Sequence, residues 1–208
     1  MKRILVVLLL VFCISAGFAR EKSFESLGFH FSLPLMFENE VEYGIEVNST
    51  MQSFGLGLNG LTLYSEKFGV YSYLDVVFPQ KIKLKLSYAG QTEYGVVDRS
   101  SYYSFGGIDA LLGFAIKVFQ NEMNLFTISP GIHYEMLSAE AQDSVLTYIF
   151  GLGLNIQDYI SLNEKVFLML GANILYDFVG FGLYNGESNS VDSNTFCVSP
   201  NVGMIFRL

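Results

Sequence analysis

The stretch that decides the fold is TFCVSPNVGMIFRL, residues 195–208, at the carboxyl end of the chain. Read at alternate positions it separates into two sets. Phe196, Val198, Pro200, Val202, Met204, Phe206 and Leu208 are all apolar, whereas Cys197, Ser199, Asn201, Gly203, Ile205 and Arg207 are mostly small or polar. A side-chain period of two belongs to a strand and not to a helix. The apolar set is bulkier and more continuous than a half-buried strand in water needs. A strand with hydrocarbon outside and a polar interior shows this sorting.

The same pattern recurs upstream. Phe68, Val70, Leu74, Val76 and Phe78 alternate with Gly69, Tyr71, Tyr73 and Asp75; Ile108, Leu112, Phe114 and Ile116 with Asp109, Gly113 and Lys117. Farther on, Phe126, Ile128, Ile132 and Tyr134 oppose Thr127, Ser129, His133 and Glu135, and Leu168, Leu170, Ile174 and Tyr176 oppose Met169, Gly171, Asn173 and Asp177. A soluble barrel would turn its bulk inward and its charges outward. Here the bulk lies on the wrong face for water. The pattern predicts an all-β fold, an eight-stranded antiparallel up-and-down transmembrane β-barrel, with strands at 27–36, 51–64, 68–78, 108–119, 124–137, 145–159, 165–178 and 195–208. Ten strands is the alternative, because Val41, Tyr43, Ile45 and Val47 also alternate. The apolar parity switches between Leu58 and Leu61, which predicts a bulge near Asn59 and Gly60, and Pro34, Pro130 and Pro200 predict further bulges.

Connection lengths supply a separate test. Links 65–67, 120–123 and 160–164 are tight, while 37–50, 79–107 and 179–194 are long. Outer-membrane barrels keep short turns at the periplasmic rim and long loops outside. With no tryptophan in the chain, the interfacial belts fall to Tyr and Phe.

The amino end fits export. Met1, Lys2 and Arg3, an apolar run from Ile4 to Ile14, and the small-x-small exit Gly17-Phe18-Ala19 predict a signal peptide over residues 1–19 and a barrel domain over 20–208. The chain has 12 Lys and Arg against 20 Asp and Glu, so losing Lys2 and Arg3 moves the net charge from −8 to −10. Nucleic acid is a poor partner for such a chain. Cys197 is then the one remaining cysteine, so no internal disulfide is expected.

Several motifs together resemble a known group. Ser129-Pro130 and Ser199-Pro200, the FGLGLN run at 150–155, EKVF at 164–167 and the NVGMIFRL ending look like small outer-membrane proteins of treponemal spirochaetes, similar in turn to eight-stranded barrels of the OmpW and OmpX kinds. The resemblance implies the cell outer membrane as compartment and its lipid as surroundings. It also implies insertion by the barrel-assembly machinery, which reads the terminal strand through Phe206 and Leu208. It brings no catalytic residue.

Functional expectations centre on the lumen and the loops. Parity turns Asp75, Asp109, Glu135 and Asp177 inward near the outer end, an acidic mouth, and Lys117 and Arg207 inward near the periplasmic end, a basic base. Such a field favours cations at the entrance, so a narrow channel or lateral conduit for small apolar or cationic solutes is the alternative to a structural or surface-contact role, but eight strands enclose little more than their own side chains. His30 with Ser32, and Ser129 with His133 and Glu135, contain the parts of a serine hydrolase. Residues four apart on a strand are roughly 13 Å apart, too far for a proton relay, and His30 lacks an evident acid in the sequence, so no enzyme is expected. Neither a metal-ligand set nor a phosphate-binding glycine loop is present, and no cofactor is expected. The longest loop carries Lys81, Lys83 and Lys85 between Ile82, Leu84 and Leu86, and predicts a projecting hairpin returning through Tyr102 and Tyr103. With Tyr88 these tyrosines are candidate contacts for a host extracellular protein. The barrel is expected to be a monomer.

Overall fold

The computed structural model describes residues 24–42, 45–140, 144–184, 187–191 and 194–208. The expected leader, 1–19, lies outside them. One antiparallel sheet contains β1 (Phe24–Ser32), β2 (Leu35–Glu42), β3 (Ile45–Leu63), β4 (Phe68–Tyr88), β5 (Gln91–Asp98), β6 (Ser104–Gln120), β7 (Asn124–Glu140), β8 (Ser144–Ser161), β9 (Val166–Tyr184), β10 (Glu187–Val191) and β11 (Thr195–Arg207). The sheet closes because β11 pairs with β9 on one side and with β1 on the other, and β1 pairs in turn with β3. β1 and β2 share the neighbours β11 and β3, so they are two halves of one wall strand interrupted at Leu33 and Pro34. The wall therefore runs β1/β2, β3, β4, β6, β7, β8, β9, β11. Beyond its rim β5 pairs with β4 and β10 with β9. Eight is the count of the closed ring, and ten is reached by adding these two outer segments; of the alternating residues Val41 lies on β2 and Ile45 and Val47 on β3, while Tyr43 lies outside the described residues.

Polarity is sorted outward-in. Phe29, Phe114 and Leu152 are exposed on the outside, while Asp75, Asn155 and Asn173 are fully buried within. At the tight end, three turns are held by short polar side chains. Ser65 Oγ accepts from the Phe68 amide (2.9 Å), Asn121 Oδ1 from the amides of Met123 and Asn124 (2.9 and 2.7 Å), and Asn163 Oδ1 from those of Lys165 and Val166 (both 2.9 Å). Side chains of this kind replace the backbone partner that a turn lacks. The floor above these turns is apolar, with Phe24, Leu61, Leu63, Leu125, Phe167 and Ile205 buried together.

Two sequence expectations are corrected. Pairing of β3 with β4 is unbroken through Asn59 and Gly60. The parity switch there has another cause: Leu61 and Leu63 face inward and fill the floor, where apolar volume is needed. The register instead shifts at Gln52/Ser53, Lys117/Phe119 and Phe150/Gly151. Nor do Pro130 and Pro200 create bulges against β8 and β9, since they stay in register with Leu154 and Ala172. Their missing donors point the other way, into places where the ladder already lapses. Pro200 faces the β1/β2 interruption, where its carbonyl accepts from the Leu33 amide (3.0 Å), and the pairing of β6 with β7 skips from Gly113 to Ile116 beside Pro130.

Strand length sets the shape above the membrane. A tilted strand crosses hydrocarbon in about 9–11 residues, yet β4 has 21 and β3 has 19. From Phe68 to Phe78, at ~3.4 Å per residue and a tilt of ~40°, β4 climbs roughly 26 Å, the height of an apolar band. Everything after Phe78 stands beyond it. The outer parts of β2, β3 and β4, joined by β5, thus form a sheet that projects from one side of the barrel.

Candidate functional site

The inward face of the wall carries an ionisable belt at mid-height, built twice on the same plan. His30 on β1 and Asp75 on β4 both pair with Gly57 of the intervening β3; His133 on β7 and Asp177 on β9 both pair with Gly151 of the intervening β8. Two inter-strand steps separate the outer strands of each trio by roughly 10 Å. Only a residue without a side chain between them lets imidazole and carboxylate meet. A Cβ on Gly57 would run into the Asp75 carboxylate, and one on Gly151 into that of Asp177. His30 Nε2 lies 2.7 Å from Asp75 Oδ1, and His133 Nδ1 lies 2.6 Å from Asp177 Oδ1.

The two trios are joined into one belt. His133 Nε2 is 2.8 Å from Asp109 Oδ1, the Tyr73 hydroxyl donates to the same carboxylate oxygen (2.9 Å), and the Tyr73 ring packs edge-on against that of His30 (centroids 6.1 Å apart). Ser32 Oγ donates to Asp75 Oδ2 at 2.6 Å. Glu135 is the cross-strand partner of Asp109 and is buried beside it. Below the belt, Asn155 Nδ2 donates to Asn173 Oδ1 (2.7 Å) and Gln157 Nε2 to Asn201 Oδ1 (2.9 Å), tying β8 to β9 and across to β11. Most of these groups exchange water partners for one another, while His30 Nδ1, Asp177 Oδ2, Asn155 Oδ1, Gln157 Oε1 and Asn173 Nδ2 have no hydrogen-bond partner among the described residues. Buried charge is tolerated where it is paired and hydrogen-bonded.

The expected acidic mouth is therefore placed elsewhere. Asp75, Asp109, Glu135 and Asp177 are between 0% and 4% exposed, and they are enclosed because their strands continue well past them. Apolar groups lie above as well as below: Met36, Met51 and Phe105 are buried on the outer side, with Ile82, Tyr102 and Leu137 packed against them. Lys117 and Arg207 stand near the tight turns. Lys117 Nζ donates to Gln120 Oε1 (2.9 Å), and the Arg207 guanidinium stands 5.6 Å from the Phe24 ring centre, beside a depression of about 650 Å³ that Phe167, Lys165 and Leu208 help to line.

Neither set of hydrolase parts forms a relay. Asp75 is the acid missing from the sequence reading of His30 and Ser32, but it stands between them, so Ser32 donates to the carboxylate and not to the imidazole. Both nitrogens of His133 face carboxylates from other strands, which leaves none for Ser129. A nucleophile needs a base within hydrogen-bond reach. What sequence reasoning missed is the partnership of each histidine with an aspartate 44 or 45 residues away. The shared inward parity was its one available signal.

The outer extension is the second candidate region. Tyr88 is 61% and Tyr103 82% exposed, and Tyr94, not singled out from sequence, is 79% exposed. Tyr102 departs from expectation: its ring turns inward onto Phe105, 4.7 Å between centres. The hairpin returns through β5 instead of through Tyr102 and Tyr103, after a two-residue tip in which Ala89 and Gly90 have φ of 49° and 80°. Left-handed values at both positions match the twist of the strands that flank such a turn.

No family model matches the chain, and no curated protein does. Solved structures do. OprG from Pseudomonas aeruginosa aligns with 90% of this chain and 97% of its own, at 14% identity and a TM-score of 0.59. The neisserial surface protein NspA aligns with 91% of this chain and 100% of its own, at 11% identity and a TM-score of 0.56. The fold is that of a small outer-membrane β-barrel. With bulk facing lipid and the belt enclosed, the outer membrane is its compartment.

Proposed function

We propose that this barrel is a closed anchor whose working part is the outer extension, a surface for contact with a host or other extracellular protein. The observation that carries this reading is the outer edge of β5. Among the described residues β5 pairs with β4 alone, so the edge from Gln91 to Asp98 offers unpaired backbone groups next to exposed Tyr88 and Tyr94. An extended segment of a partner can add to such an edge, with the tyrosines supplying contact area. Assembly through Phe206 and Leu208, a monomeric state and treponemal kinship belong to the same reading. Phe206 points to lipid, and the Leu208 amide donates to the Glu25 carbonyl (2.9 Å), which fastens the chain end to β1.

A narrow channel would need Asp75 and Asp177 along an open path, and both are engaged in the belt. The test uses the refolded chain 20–208. In planar bilayers it gives no unitary conductance, and on cells that display it, replacing residues 83–100 with a short turn abolishes adherence to host-cell monolayers while heat-modifiable gel migration persists. Ion conductance lost on Asp75→Asn would overturn the closed anchor; adherence unchanged without 83–100 would overturn the surface role.

A further inference from the structure

Where β4 leaves the hydrocarbon, its parity changes. Phe78 faces lipid and Pro79 faces inward, opposite Ser53, but the next pairing is Gln52 with Lys81, so Gln80 is an extra residue that the partner strand lacks. Without that bulge Lys81, Lys83 and Lys85 would point into the barrel and Ile82 and Leu84 outward. With it, Ile82 turns inward to pack on the core opposite Met51, and the three lysines continue the lipid-facing side. They stand in outward rungs with Gln52, Thr50 and Asn48 of β3, and the rung of Lys83 extends through Thr50 to Phe37, which stacks on Phe196 in the outer aromatic belt.

The surface directly beneath is built of rings. Phe31, Phe54 and Phe78 follow one another across three adjacent strands, with centroids 6.1 and 6.4 Å apart. Phe78 ends the roughly 26 Å apolar climb from Phe68; at the same rise of about 2.6 Å per residue Lys81 stands about 8 Å above it, at the upper edge of the headgroup layer, and Lys83 and Lys85 about 13 and 18 Å above it, beyond that layer. Among the described residues none of the three makes an ion pair, although Asp98 is the cross-strand neighbour of Lys81. The remaining described cations are Arg99, whose Nη1 donates to the Tyr102 carbonyl, and residues of the tight rim. Among the described residues, and apart from Arg99, the positive charge on the outer side of the barrel is gathered in one row.

The geometry points to a binding site for an anionic, phosphate-bearing membrane lipid on the outward face of β3 and β4: Lys81 and the down-turned head of Lys83 hold the phosphate, Gln52 donates to its oxygens, Lys85 adds positive potential from above, and the acyl chains lie on Phe31, Phe54 and Phe78. Charge-assisted hydrogen bonds to phosphate are the strong kind, and the long flexible stems of Lys81 and Lys83 let their ammonium groups reach down to the phosphate level. The site joins the lipid contact that the wall already makes.

Native mass spectrometry of the refolded chain tests it, in detergent supplemented with equal phosphatidylglycerol and phosphatidylcholine. One phosphatidylglycerol is retained in at least about tenfold preference, and the triple variant K81Q/K83Q/K85Q loses that preference. The variant K67Q/K117Q/K165Q, changed at the opposite rim, keeps it. Heat-modifiable migration confirms that each variant is folded, and single substitutions replace the triple if it is not. Equal retention of both lipids by the parent chain, an unchanged preference in the triple variant, or displacement of the lipid by inorganic phosphate in modest excess would each overturn the assignment.

Discussion

The belt inside the barrel and the extension above it satisfy their polar groups in opposite ways. In the belt, imidazoles and carboxylates from β1, β4, β6, β7 and β9 lie against one another, and although His30 Nδ1 and Asp177 Oδ2 are left without a hydrogen-bond partner, no side chain among them reaches solvent. In the extension, among the described residues, β5 leaves its outer edge unpaired, three lysines on the outward side make no ion pair, and Tyr88, Tyr94 and Tyr103 stand in the open. A region whose charged groups are enclosed with one another braces a wall. One whose groups are unspent is available to a partner.

That contrast can be broken most forcefully at His133. Replacing it with alanine leaves Asp109 and Asp177 buried without the group that lies between them, and removal of one member of a buried charged set costs about 3–5 kcal/mol. The expected result is a drop of that size in urea unfolding from lipid vesicles, followed by tyrosine fluorescence because the chain has no tryptophan. A loss below about 1 kcal/mol would mean that the belt does not brace the wall.

Gly57→Ala probes the design of the trio and is expected to cost less, about 1–3 kcal/mol, by pushing the Asp75 carboxylate off His30. Its effect should largely vanish in the His30→Ala background, because both changes then break one contact; additive losses would refute the coupling. On the other side of the comparison, Tyr94→Ala and Tyr103→Ala should move wall stability by no more than about 0.5 kcal/mol, as exposed positions do, while weakening adherence. Smallest of all, Ala89→Asn should slow amide exchange in 82–98 by an amount worth about 0.5 kcal/mol, since a left-handed φ suits Asn better than Ala. Faster exchange would show that the tip is not the turn described.

How much of this was legible in the sequence follows from what each feature depends on. Sorting of the faces needs only a period of two, so the lipid-facing rows of Phe68 to Phe78 and Phe196 to Leu208 could be read directly, as could the three tight turns at Ser65, Asn121 and Asn163. Height along the barrel depends on register and tilt, which no single strand encodes. Asp75 was therefore assigned to the mouth when β4 runs thirteen residues beyond it. Histidine–aspartate pairing depends on which strands flank a glycine, a relation between sequence positions dozens of residues apart. The reversal of the lysine row rests on one extra residue, Gln80, visible only against its partner strand.

The enclosed interior can be tested through the chain's own thiol. Cys197 faces inward between Met36 and Leu175 and is 2% exposed, and in the chain 20–208 no other cysteine competes. A water-soluble maleimide added to the refolded barrel in vesicles should leave Cys197 unmodified over hours, and should label it fully once the chain is unfolded. Labelling of the folded barrel at the rate of a free exposed thiol would show a water-filled passage through its centre, and would contradict the closed belt.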